Sequence, residues 1–171
     1  FQADAVPALG YKSWLLKRGG TGSLRQGSMV EEEGRAFSNG LLRVKVNANG
    51  TWSLTDLQRG RHFELLGLLE DDGEVGDPWV RYAPREERLV TSAACRAAVS
   101  VAEDGPLSST LAVRFPFPVP ACALGFDQKR SDEEVDLQIE HRLTLRAGSR
   151  RLEIVTRCDN RARDHRLRIA F

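Results

Sequence analysis

Paired cysteines, metal-spaced histidines, a long apolar run and an excess of either charge are all missing from this sequence, and each absence closes off a class of function. Cys95, Cys122 and Cys158 are odd in number, widely separated and never form a C-x-x-C pair. Neither a disulfide framework nor a thiolate zinc site is indicated, and a reducing cytoplasm is the expected compartment. His62, His141 and His165 show no H-E-x-x-H or other metal spacing, so no metal site is expected on this chain. There is no G-x-S-x-G elbow and no phosphate-cradling glycine loop opening a helix, and no catalytic residue is assigned. No apolar stretch approaches the roughly 20 residues that cross a bilayer. The net charge of +1, with Lys12, Lys17, Lys45 and Lys129 the only lysines, gives no field to hold nucleic acid or anionic lipid. The first residues carry no basic region followed by an apolar core, and the alternation in "HRLRIAF" runs to the last residue; the chain is expected to be a piece of a longer protein.

What the sequence does contain is strand signal. Its 171 residues suit one core, with 41% hydrophobic and 29% charged residues. In "LLRVKVNANGTWSLTDL", Leu42, Val44 and Val46 alternate with Arg43 and Lys45, then Trp52 and Leu54 resume the pattern beyond Asn49-Gly50. That predicts a β-hairpin. Similar runs fill 96–103, 109–117, 134–148 and 150–160, broken at Asp104-Gly105-Pro106, at the Pro116, Pro118 and Pro120 series, and at Ala147-Gly148-Ser149. The nearest thing to a helix, "FELLGLLED" at 63–71, is short and contains Gly67. The expected fold is all-β, an antiparallel two-sheet sandwich with little helix. A lead strand at 9–16, within a 1–16 linker, and a flexible connector at 17–36 are expected to precede a sandwich at 37–171. The acidic runs Glu31-Glu32-Glu33 and Asp71-Asp72 read as solvated charge.

"EDDGEVGDPWVRYAP" (70–84) stands apart, because loops are built mainly from small polar residues. Trp79 and Tyr82, bracketed by Pro78 and Pro84, would offer rigid amphipathic faces of the sort that sugar rings and protein interfaces prefer, with Arg81 and the acids as hydroxyl partners. The competing reading makes Trp79 or Tyr82 a plug over the core.

Four stretches in order, "VPALGYKSW", "NGLLRVKVNANGTWSLTDLQRGRHF", "EDDGEVGDPWVRYAP" and "LRAGSRRLEIVTRCDNRARDHRLRIAF", resemble the region downstream of the catalytic domain in bacterial glycoside hydrolase family 38 α-mannosidases. The resemblance implies a galactose-mutarotase-like supersandwich and, for a whole enzyme, retaining hydrolysis of terminal α-D-mannosides. There an Asp nucleophile works with a second carboxylate as acid and base, and His and Asp ligands hold Zn²⁺. It implies that all of those residues lie upstream of Phe1, so the expected partners are that catalytic domain and a mannose-containing oligosaccharide. It also implies that the 76–84 loop reaches the sugar site, which makes Trp79 and Tyr82 the candidate substrate-binding residues. His165 and Arg166, after Asp164, match the family pattern and read as a structural hydrogen-bond and salt-bridge cluster. The alternatives are a stand-alone carbohydrate-binding module, a docking domain anchored by Trp79, and an epimerase on the same sandwich, which would need a His facing a carboxylate in one cleft.

Overall fold

The computed structural model describes residues 3, 5–15, 27–77, 79–125 and 128–171. The described residues build antiparallel sheet with two short 3-10 turns. A five-stranded sheet runs in chain order through β1 (Val30–Glu31), β2 (Ala36–Ser38), β3 (Leu42–Val46), β4 (Trp52–Asp56) and β5 (Arg61–Leu66). A three-stranded sheet has β6 (Leu68–Gly73) between β12 (His165–Ala170) and β7 (Val90–Thr91). A four-stranded sheet orders β11 (Leu152–Asp159), β10 (Glu134–Arg146), β9 (Ser108–Pro120) and β8 (Ala98–Glu103).

Alternation builds the core. Leu42, Val44 and Val46 of β3 face inward with Trp52 of β4; Leu111, Val113, Phe115, Phe117 and Val119 of β9 face them with Leu137, Ile139, Leu143 and Leu145 of β10. Trp52 meets the buried His141 of β10 edge-on at 5.5 Å between ring centroids, and Phe115 lies 5.7 Å from the same ring. Leu69 of β6, with Leu167 and Ile169 of β12 packed against it, joins the same cluster. The predicted hairpin is present, with Val46 opposite Trp52 and Gly50 at φ +89°. A side chain on Gly50 would run into the Phe115 ring at 2.7 Å, so the turn residue also makes room between the sheets.

Several expectations need correction. Residues 9–15 form no strand and are exposed; residue 16 lies outside those described. Of the connector, 17–26 lies outside the described residues. Its later part joins the sheet: Met29 enters the core, β1 pairs with β2, and Glu31 and Glu32 pair with Arg43 and Lys45 of β3. "FELLGLLED" is two strands broken at Gly67, where an added Cβ would lie 2.1 Å from the Trp52 ring.

The prolines at 116, 118 and 120 do not end β9, which continues through them paired with β10. Spaced two apart, they turn their missing N–H groups toward the same side of the strand. Odd-numbered Ala121 donates to Glu133 O at 2.9 Å, on the β10 side, and β8 pairs β9 only as far as Arg114. The prolines therefore face an edge that carries no ladder among the described residues.

Candidate functional site

Where β6 ends, three loops converge: 74–84, 121–131 and 160–164. Two adjacent carboxylates organise them, because neighbouring residues of a strand face opposite ways. Asp71 and Asp72, expected as solvated charge, are instead 0% and 3% exposed. Their partners come from distant parts of the chain, which is why local sequence showed only an acidic run.

Asp71 faces inward. It pairs with the buried Arg130 of the 121–131 loop, whose guanidinium also donates to Asp71 O at 3.2 Å and Arg88 O at 3.1 Å. Its second oxygen lies 2.5 Å from His165 Nδ1, and His165 Nε2 lies 3.1 Å from Asn160 Oδ1. Asp72 faces the other way and accepts from Arg166 in a fork, at 3.1 and 2.6 Å, and from Arg168 at 3.0 Å. Burial pushes the Asp72 carboxyl up, but the hydrogen bond and charge of Arg166, with the charges of Arg81 and Arg168, outweigh it and hold the group below its usual range. His165 and Arg166 thus belong to a buried ionic cluster, as the sequence suggests, although their partners are Asp71 and Asp72. Asp164 contributes its carbonyl, to Glu74 N at 3.0 Å.

The aromatic loop grows out of this cluster. Gly73 lets Pro84 lie directly on the strand, since a Cβ there would come within 2.5 Å of the Pro84 ring. Glu74 Oε1 accepts from both Gly76 N and Tyr82 N at 2.9 Å, and Val75 N donates to Tyr82 O at 2.9 Å, which closes the loop at its base. At the tip, Asp77 Oδ1 accepts from Trp79 N and Val80 N at 2.9 and 2.8 Å. Gly76 faces inward so closely that a Cβ would meet Val80 O at 2.1 Å. Arg81 hydrogen-bonds Glu87 at 2.5 Å and also lies 3.4 Å from Asp72 and 3.9 Å from Glu74, with its side chain 37% exposed.

This frame displays Trp79 at 86% exposure, with Val80 at 47% and Tyr82 at 48%. Neither aromatic plugs the core. Beside them lies a polar groove of about 330 Å³ lined by Glu74, Val75, Gly76, Ala123, Leu124, Gly125 and Asp164.

The three histidines occupy unrelated places. His141 is buried between the sheets against Thr156, and burial lowers its pKa to about 4. His165 sits in the ionic cluster. His62 lies on the outer face of β5, between Thr55 at 2.9 Å and Glu64 at 3.2 Å, along a groove of about 640 Å³. Cys95, Cys122 and Cys158 are unbonded, and the thiols of Cys95 and Cys158 are pushed up, in both cases first by burial. Among the described residues no three His, Cys, Asp or Glu side chains converge as a metal site. No helix among them is long and apolar enough to cross a membrane.

The stacked antiparallel sheets and the exposed aromatic loop make this an all-β sandwich domain. Residues 37–171 match the C-terminal domain model of glycosyl hydrolases family 38, and the chain belongs to that family. It is 30% identical over 149 residues to a protein named as a mannosylglycerate hydrolase of Halalkalibacterium halodurans, which covers 79% of this chain and 17% of that protein. The fold is shared with an α-mannosidase from Enterococcus faecalis V583, at TM-score 0.81 and 22% identity over 88% of this chain and 19% of the other. A family 38 protein from Enterococcus faecalis gives TM-score 0.82, also at 22% identity and 88% of this chain, over 20% of its own length. The chain thus spans about a fifth of the length of these relatives.

Proposed function

We propose that this domain is the non-catalytic sandwich of a retaining glycosidase acting on terminal α-D-mannosides, and that its 74–84 loop walls the sugar site of a catalytic domain on the same polypeptide. The observation that carries this reading is Trp79, a large aromatic almost fully exposed at the tip of a loop whose backbone is tied down at both ends. An ordered apolar side chain held out in this way suits a surface waiting to be covered. Trp offers a face for stacking and one N–H donor, and Tyr adds a hydroxyl that both donates and accepts. Zinc and the two reacting carboxylates belong to the catalytic domain, and no step is assigned to residues of this chain.

Trp79→Ala in the full-length enzyme is expected to lower kcat/KM roughly thirty-fold, the consequence of losing about 2 kcal/mol at an interface aromatic. The isolated chain is expected to show no turnover of an aryl α-mannoside, with or without added zinc. Unchanged kinetics in the variant, or zinc-dependent turnover by the chain alone, would overturn the reading. The exposure of Trp79 also favours a second possibility, a stand-alone carbohydrate-binding module. Titrating mannose or an oligomannoside while following tryptophan emission separates the two, since only the module responds in isolation.

A further inference from the structure

We infer that Arg81 is the positioning residue of the aromatic loop, and that it sets the attitude of Trp79 and Tyr82 by coupling the loop to the ionic cluster beneath it. The inference rests on the reading above for its functional meaning, but its physical content stands on separate observations.

Arg81 lies between the two exposed aromatics in sequence, yet its own side chain runs back toward the body of the domain. Its guanidinium reaches three carboxylates on three segments: Asp72 at the end of β6, Glu74 at the base of the loop, and Glu87 beyond Pro84. Each has a distinct mechanical role. Asp72 is almost fully buried and already fixed by Arg166 and Arg168, so it is an immobile anchor on two paired strands. Glu74 collects the N–H groups of Gly76 and Tyr82 on one oxygen, and its other oxygen lies 3.9 Å from Arg81 Nε, so the Arg81 charge faces the carboxylate that pins both ends of the loop. Glu87 ties the outgoing chain to the same guanidinium.

The guanidinium hydrogen-bonds Glu87 and spreads its charge over Nε and Nη2 toward Glu74 and Asp72, at 3.9 and 3.4 Å, whereas an ammonium is a point charge without that spread. Exposed ion pairs are generally worth little. Here one partner is buried and the loop between the pinned amides is short, so the loss should appear as local opening and leave the global fold intact.

The test combines amide hydrogen exchange on the 171-residue chain with kinetics on the full-length enzyme. Arg81→Gln is expected to speed exchange at Gly76 and Tyr82 roughly ten-fold while the amides of β9 and β10 keep their protection, and Arg81→Lys should restore part of the difference. In the full-length enzyme, Arg81→Gln should lower kcat/KM in the same direction as Trp79→Ala. The double variant should fall well short of the product of the two single losses, because Arg81→Gln acts in part through Trp79. Unchanged exchange at Gly76 and Tyr82 in Arg81→Gln overturns the inference even if Trp79→Ala is severely impaired. Faster exchange with an additive double variant also overturns it, because Arg81 would then act on turnover by a route other than Trp79. If Trp79→Ala turns over normally, it is the functional reading that fails, and the exchange experiment alone decides whether Arg81 positions the loop.

Discussion

The interior between β4, β9 and β10 is closed by apolar side chains taken from every second position of neighbouring strands, whereas the end of the molecule at β6 and β12 is closed by carboxylates and guanidiniums from separate stretches of chain. The first arrangement is non-directional and tolerates small shifts, since burial of apolar area does not depend on angle. The second is directional: each oxygen of Asp71 and Asp72 has an assigned donor. A domain that must hold one loop in one attitude gains more from the directional kind, even though an ionic cluster adds less to stability than an apolar core of equal size.

Asp71→Asn should break the contrast most sharply. It leaves the buried Arg130 uncompensated and is expected to cost about 3–5 kcal/mol in urea unfolding, as much as truncating a buried leucine such as Leu143. A loss below 1 kcal/mol would mean that the cluster is ornamental. Next in size is a pH effect confined to the core. His141 is neutral in the folded chain, with its pKa lowered by burial to about 4, whereas the unfolded chain takes up a proton near 6.5. The unfolded state therefore binds more protons between these values, and stability should fall by about 3 kcal/mol as pH drops from above 6.5 to 4. His141→Phe should flatten that slope in a series of urea melts, and an unaltered slope would assign it to other groups. The smallest effect is expected at Arg43, whose pairs with Glu31 and Glu32 are solvent-exposed. Arg43→Ala should cost less than about 1 kcal/mol and vanish in high salt.

The same contrast explains what could be read without coordinates. The β3–β4 hairpin, β10 and β11 were legible because alternation and an Asn-Gly turn are local signals. The exposed position of Trp79 followed from its Pro-bracketed setting only as one of two alternatives, since a plug and a platform have the same sequence. The burial of Asp71 and Asp72 was hidden, as their partners lie up to 96 residues away. One trace was available: Glu70 and Asp72 alternate in one strand as Arg166 and Arg168 do in another, and two strands with complementary charge at period two are candidates for pairing. The prolines of β9 look like breaks by identity, yet their spacing decides their effect. Two apart, they share one side of a strand.

That side has a further consequence for how the molecule meets its neighbours. Beyond Arg114 the strand offers carbonyls but no donors at Pro116, Pro118 and Pro120, so an incoming peptide cannot zip onto it and extend the sheet. Whatever lies alongside this margin can give hydrogen bonds to its carbonyls but receives none back from the prolines, and crowded copies of the domain are denied one ready route to fibrous stacking.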